Sequence, residues 1–263
     1  MKKFELNTFA SADELASHVA DVWLDEIEKT RRAGKPHCVA LSGGRITQKF
    51  FVSVVALAKT RKMGGGGAPS LPGNVHFFWA DERCVPPSDP ESNFKMASEL
   101  LFTPLNVPEN QIHRIRGELS PDKAVEMATV EIRRVISTAP SSPSPLERGE
   151  GVGSQPVLDL IFLGMGEDGH VASLFPNAPA EVVDYPGPFL FIASSPKPPP
   201  RRVSLSYAAI AAARQVWVLI SGAGKAKALS ESLDFPGKTP LARVIELRQK
   251  TLIFSQIEAD KII

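Results

Sequence analysis

Apolar side chains recur at Leu15, Val19, Val22, Trp23 and Ile27, the spacing of a single helical face. Ser11 and Glu14 stand ahead of them in the Ser-x-x-Glu order of a capping box, which predicts a helix starting there. The chain then changes period. Short, mostly apolar runs at 36–41, 75–79, 158–164, 189–193, 203–206, 216–220 and 252–254, with a more polar one at 112–115, have the length and composition of buried strands. Helical patterns lie between them: one running to about Ala58, others at 92–102 and 121–136, and one starting near Gly224. Strand and helix alternating in this way predict an α/β fold, a three-layer α/β/α sandwich around a mainly parallel sheet.

Two stretches break the alternation. Residues 64–73 are dominated by glycine and proline, and residues 139–156 contain Pro-Ser-Ser-Pro-Ser-Pro followed by Gly-Glu-Gly-Val-Gly. Neither holds enough apolar surface to offset the entropy of ordering it, so both are expected to be flexible insertions in one domain spanning residues 1–263. Composition narrows the partners. Across 263 residues the formal net charge is +1, which gives no long-range attraction to nucleic acid or to an anionic membrane. Two cysteines, Cys38 and Cys84, are too few for a disulfide framework. The basic start, Met1-Lys-Lys, lacks the apolar segment of a signal peptide, and no run reaches bilayer length. The expectation is a cytoplasmic protein, monomeric or a small homo-oligomer, whose partner is a small molecule.

Candidate chemistry gathers where predicted strands end, the edge at which open α/β sheets bind ligands. The run at 158–164 leads into Gly164-Met-Gly-Glu-Asp-Gly-His170. There His170 reads equally as a general base and as a hydrogen-bonded structural imidazole, with Asp168 beside it. Ser42-Gly43-Gly44-Arg45 joins a strand to a helix, which suits either a tight turn or a phosphate site built from helix N–H groups, a hydroxyl and a guanidinium. Asp81-Glu82-Arg83 also follows a strand, as a solvated charge cluster or as a loop that positions a substrate, and it runs on to Ser92-Asn93. Lys197, Arg201 and Arg202 approach a further strand, and Lys225 stands where a helix N-terminus disfavours a cation lacking an anionic partner. The other histidines, His18, His37, His76 and His113, have no zinc-site spacing, Gly-x-Ser-x-Gly does not occur, and no Gly-x-Gly-x-x-Gly follows the first strand. Chemistry on a phosphorylated small molecule without metal or organic cofactor is the simplest enzymatic reading.

Taken together, Leu41-Ser-Gly-Gly44, Asp81-Glu-Arg-Cys-Val-Pro86 with Ser92-Asn93, Gly164-Met-Gly-Glu-Asp-Gly-His-Val-Ala-Ser-Leu-Phe-Pro176, Arg202-Val-Ser-Leu205 and Gly224-Lys225-Ala226 resemble the 6-phosphogluconolactonase family, in order across most of the chain. The resemblance implies a Rossmann-like sheet and hydrolysis of 6-phospho-D-glucono-1,5-lactone to 6-phospho-D-gluconate in the oxidative pentose phosphate pathway, with no cofactor and no metal. It makes His170 the base that activates water and Asp168 and Asp81 its orienting partners. Ser42, Gly43, Gly44, Arg45, Arg83, Arg202 and Lys225 become the phosphate grip. One departure stands out, since Arg45-Ile46-Thr47 occupies the place of the family's usual Ser-Thr-Pro. Two alternatives remain. In a glucosamine-6-phosphate deaminase-like isomerase the Asp-Gly-His loop continues toward Asn-Glu-Pro, whereas here it continues Ala172-Ser-Leu-Phe-Pro176. A non-catalytic sugar-phosphate-binding effector domain is the other, and no helix-turn-helix pattern precedes the motifs.

Overall fold

A computed structural model describes residues 3–61, 70–138, 155–234 and 236–258. The expected insertions at 64–73 and 139–156 lie for the most part outside these residues.

Six strands form one wholly parallel sheet in the order β1-β9-β8-β5-β2-β3. They are β1 (Phe4–Thr8), β2 (His37–Leu41), β3 (Val75–Trp79), β5 (Leu160–Gly164), β8 (Gln215–Ile220) and β9 (Thr251–Ser255). The mostly apolar runs make sense in this setting, because both faces of such a sheet are covered and alternation would place polar atoms in a core. Helices α1 (Ala12–Arg32) and α2 (Arg45–Thr60) pack together on one face. There Trp23 and Phe50 meet Phe162, with Phe77 and Trp217 at the edges of the same aromatic cluster. Chain direction across the sheet reverses after β3. By the right-handed crossover rule the connections after β3 run over the opposite face, where α6 (Tyr207–Ala212) and α7 (Ala226–Leu233) pack on α8 (Pro240–Leu247), while α4 (Pro121–Thr138) packs on the strands at Phe189–Ile192 and Arg202–Leu205.

The expected strands at 189–193 and 203–206 exist, but in a second sheet. β4 (Asp81–Arg83), β7 (Arg202–Leu205) and β6 (Phe189–Ile192) form a small antiparallel sheet in that order. Ala80 stitches it to the main one, donating to Leu41 O at 2.8 Å and accepting from Leu205 N at 2.7 Å. Asp81 and Arg83, expected in a loop, are thus strand residues set against the ends of β2 and β3.

Other boundaries differ for local reasons. The helix expected at 92–102 is α3 (Asn93–Ala97) continued by a π-helical turn over Ser98–Phe102, where Thr103 N bonds Ser98 O at 2.9 Å. Residues 112–115 do not form a strand: a 3-10 turn ends at Gln111, and only Ile112 bridges to Phe77. The helix expected from Gly224 begins as a 3-10 turn, Ala223–Lys225, before α7. Short α5 (Ala180–Val183), α6, α8 and edge strand β1 were not anticipated. Among the described residues no helix is long and apolar enough to cross a membrane.

Candidate active site

The chain leaves β2 toward β3 but leaves β5 toward β8, on the other side of the sheet. Loops departing in opposite directions open a crevice at the carboxyl ends of β2 and β5. Ser42 lies buried beneath it and donates its hydroxyl to Phe162 O at 2.8 Å, tying the ends of the two strands together. What the turn presents outward is therefore backbone. A Cβ on Gly43 would stand 2.1 Å from Asn93 Oδ1, so only glycine fits there, and Gly44 adopts φ 112°. Gly44 caps the sixteen-residue α2 without a side-chain hydrogen bond, and the first turn contains no acidic residue. Its N–H groups and dipole face the crevice uncompensated.

The loop after β5 folds back on itself. Gly166 N donates to His170 O at 2.9 Å, Gly169 N to Gly166 O at 3.1 Å, and Val171 bridges both Met165 and Leu174. This doubling brings Asp168 Oδ1 within 2.5 Å of His170 Nδ1 and 3.3 Å of His170 N. A Cβ on Gly166 would stand 2.0 Å from His170 Nδ1, so that glycine is what lets the imidazole lie across the loop. Gly169, at φ +79°, lies against Thr239, and its carbonyl accepts from Leu241 N at 3.1 Å, anchoring the loop on α8. Phe175 backs the imidazole at a ring separation of 4.6 Å.

A carboxylate at Nδ1 selects the Nδ1–H tautomer and leaves the lone pair on Nε2. Burial lowers the pKa of His170 against the pull of Asp168, and the charge of Lys197 lowers it further. Burial alone would raise the Asp168 carboxyl, but the hydrogen bond and charge of His170, helped by Lys197, hold it below the usual range. The pair is a neutral imidazole oriented by a carboxylate, with 16% of the His170 side chain open to solvent.

Asp81 closes the constellation from the small sheet. Its Oδ2 accepts from Ser173 Oγ at 2.7 Å and lies 3.9 Å from Arg202 Nη1, while its carbonyl accepts from Asn93 Nδ2 at 2.9 Å. Glu82, which sequence reasoning grouped with Asp81 without assigning a role, is an anchor. Its carboxylate takes hydrogen bonds from Arg83 N, Asn93 N, Phe94 N and Ser92 Oγ, and burial raises its pKa. Ser92-Asn93 thereby becomes the capped start of α3. Arg83 Nη1 bonds Glu91 O, and Arg83 Nε is buried without a partner among the described residues. Arg202 is buried as well. It donates to the carbonyls of Lys197, Pro198 and Pro199 at 3.0, 3.1 and 3.0 Å, so most of its fork supports a loop.

Lys225, at the end of β8, is half-buried. Burial lowers its pKa, as do the charges of Arg45 and Lys197, against Glu167. Three cations from the start of α2, the loop after β6 and the end of β8 thus act on one place. Among the described residues none of the three has a carboxylate within 4.0 Å. Of the residues marked in the sequence, Ser42 to Arg45, Asp81, Asp168, His170 and Lys225 border the crevice, Arg202 reaches it through Asp81 and Ser173, and Arg83 turns to Glu91. Ser173, Asn93 and Lys197 complete it. Ser173 and Asn93 look unremarkable in the sequence because their roles come from partners 92 and 12 residues away.

A doubly wound parallel sheet with an Asp–His pair beyond its strand ends places the chain among α/β proteins that bind ligands at the switch point. The family model described as glucosamine-6-phosphate isomerases/6-phosphogluconolactonase matches residues 10–254, and the chain belongs to that family. A 6-phosphogluconolactonase of Haemophilus influenzae is 31% identical over 87% of this chain and 88% of its own length. One from Mycobacterium tuberculosis is 38% identical over 68% of this chain and 69% of its own. The crystal structure of the Thermotoga maritima 6-phosphogluconolactonase superposes with a TM-score of 0.72 at 29% identity, covering 96% of this chain and 98% of that one.

Proposed function

We propose that this protein hydrolyses 6-phospho-D-glucono-1,5-lactone to 6-phospho-D-gluconate, a step that fits the oxidative pentose phosphate pathway. The observation that carries the reading is the Asp168–His170 pair, 2.5 Å apart, with the charge of Lys197 acting on it, in a crevice shared with Arg45 and Lys225. A carboxylate-oriented neutral imidazole suits water activation, and cations without carboxylate partners at a helix N-terminus suit a phosphate dianion.

His170 Nε2 takes a proton from water as the water oxygen bonds to C1, and the carbonyl electron pair moves onto its oxygen. When the tetrahedral intermediate collapses, the bond from C1 to the ring oxygen breaks and the imidazolium returns its proton to that oxygen. Asp168 stabilises the transient imidazolium. Asp81 acts from farther off, its charge reaching the imidazole while Ser173 holds it in place. The phosphate is held by the first turn of α2, Arg45 and Lys225, with Arg83 alongside. Arg202 contributes by fixing the Lys197 loop and Asp81. A phosphate gripped away from C1 converts binding energy into orientation of the lactone.

The test is the rate of loss of freshly generated 6-phosphogluconolactone with and without the protein. Acceleration in proportion to protein concentration is expected, and a rate equal to the spontaneous one removes the assignment. Release of ammonia from glucosamine 6-phosphate would instead make the protein a deaminase.

A further inference from the structure

Three cations lie close together in sequence after β6, and the fold gives each a different fate. Arg201 stacks its guanidinium over the Phe191 ring at 5.6 Å, away from the crevice. Arg202 is buried and clamps the loop carbonyls. Lys197 is left exposed, with no carboxylate within 4.0 Å among the described residues. The backbone under it is fixed from both sides. Ser195 Oγ donates to Lys197 O at 2.9 Å and accepts from Lys197 N at 3.1 Å, and Ser195 N closes the loop on Pro200 O at 2.8 Å.

Burying a guanidinium is costly, and using it to hold an exposed proline-rich loop is unusual unless the loop's position matters. The clamp also belongs to the site. Arg202 Nη1 lies 3.5 Å from Ser173 Oγ and 3.9 Å from Asp81 Oδ2, and the guanidinium sits over the same Phe175 ring that backs His170. The loop bearing Lys197 is thus tied rigidly to the groups that orient the imidazole. Its charge is felt by Asp168 and His170 at one end of the crevice and by Lys225 at the other. It is thus an exposed charge on a loop held beside Asp81, Ser173 and the Phe175 ring, the side chains packed around His170.

We propose that Lys197 is a catalytic residue whose ammonium group meets the oxyanion that develops on the C1 oxygen during lactone hydrolysis. This rests on the lactonase reading. A lactone anchored by its phosphate at Arg45 and Lys225 and attacked by water from His170 has its C1 between those two ends, within the field of Lys197. No proton need leave the lysine. The charge forms as water attacks, is balanced by the ammonium, and returns to the carbonyl when the ring bond breaks. Arg202 and Ser195 are positioning residues for this group.

The experiment is steady-state kinetics on 6-phosphogluconolactone for the wild type, Lys197→Met and Lys197→Arg across a pH series. Because the side chain is exposed, both variants should fold, which circular dichroism and the melting temperature check. Loss of one oxyanion-stabilising group typically costs about 10²-fold in kcat, so Lys197→Met is expected to lose kcat on that scale with KM within about threefold. Its acid limb should move to higher pH, because the charge that lowers the His170 pKa has gone, and Lys197→Arg should recover part of the loss. Raised KM with unchanged kcat would make Lys197 a phosphate ligand and overturn the proposal, as would unchanged kcat with an unmoved acid limb. Failure of the wild type itself to hydrolyse the lactone would instead strike at the functional reading beneath it.

Discussion

Two histidines at opposite ends of the same parallel sheet, each near an aspartate, have been given opposite properties. His170, beyond the carboxyl end of β5, has its Nδ1 on Asp168 and Nε2 beside a cationic crevice. His37, the first residue of β2, is sealed at 2% exposure. Its Nε2 accepts from Trp23 Nε1 at 3.1 Å, and its Nδ1 is buried without a partner. The nearby carboxylate of Asp159 is engaged by Cys38 N at 2.8 Å and Arg214 at 3.2 Å rather than by the ring. Burial accordingly drives the His37 pKa to about 4 and the Cys38 thiol to about 12. Both imidazoles are neutral near pH 7. The difference is that one is oriented by a carboxylate with its lone pair facing the crevice, while the other's lone pair is already occupied inside a core. Depth and the choice of partner separate the proposed base from an imidazole sealed in the core.

Substitution at the two sites should break the comparison most sharply. His170→Ala is expected to lower kcat roughly 10²- to 10⁴-fold, the usual range for a lost general base, while His37→Leu leaves kcat near wild type. Equal losses in the two variants, measured on correctly folded protein, would erase the distinction. In the wild type the acid limb of kcat/KM should lie below the usual imidazole value of 6.5, since burial lowers the pKa of His170 more than Asp168 raises it. A limb above that value would require the carboxylate to dominate.

Gly166→Ala tests the geometry without touching either titrating group. Its methyl would meet His170 Nδ1 at 2.0 Å and Asp168 Oδ1 at 2.6 Å, so the pair must shift. Displacement of about 1 Å costs on the order of 10²-fold in rate. A kinetically normal Gly166→Ala would mean that the doubled loop is not what aligns the base.

A smaller effect belongs to the other end of the crevice. Arg45→Ala or Lys225→Ala should raise KM about tenfold, near 1.4 kcal/mol of lost phosphate binding, with kcat changed less. Unchanged KM in both variants would move the phosphate elsewhere.

The last prediction concerns stability at the closed end and leaves the rate unchanged. The folded pKa of His37, about 4, lies below its unfolded value of 6.5. The unfolded chain therefore binds the extra proton between those values, so stability is present above pH 6.5 and is lost as pH falls toward 4. The loss attributable to this group is about 3 kcal/mol. Urea unfolding at pH 7 and pH 4.5 should show a shallower acid decline in His37→Leu than in the wild type, and parallel declines would assign the acid sensitivity to other groups.

Much of the frame was legible because it depends on local rules. The Ser11 half of the capping box is made, Glu14 N donating to Ser11 Oγ at 3.0 Å, while the Glu14 carboxylate accepts from Ala10 N at 3.0 Å, one residue ahead of the cap. Mostly apolar runs marked the central strands, and the Asp-Gly-His loop marked the crevice. Helix α8 was legible but missed, since Thr239 caps it and Pro240 opens it, the ordinary start signal. Strand β1 was not, because its pattern of partly exposed residues acquires meaning only beside β9. The small antiparallel sheet escaped for a similar reason: nothing in residues 189–193 or 203–206 says which sheet they will join.

By itself the sequence determined where the central strands, the long helices and the glycine turns fall, and it offered candidate residues for the crevice, because these follow from side-chain periodicity, capping and backbone freedom over a few residues. Tertiary structure decided what each of those residues does. Only there does Ser42 turn its hydroxyl inward to Phe162 and Ser173 find Asp81. Only there do Arg202 and Lys197 divide into clamp and free charge, and Asp168 and Asp159 meet different partners. The physical reason is that a hydrogen bond or a change in burial depends on what packs nearby, and in a parallel sheet that neighbour is commonly many residues away.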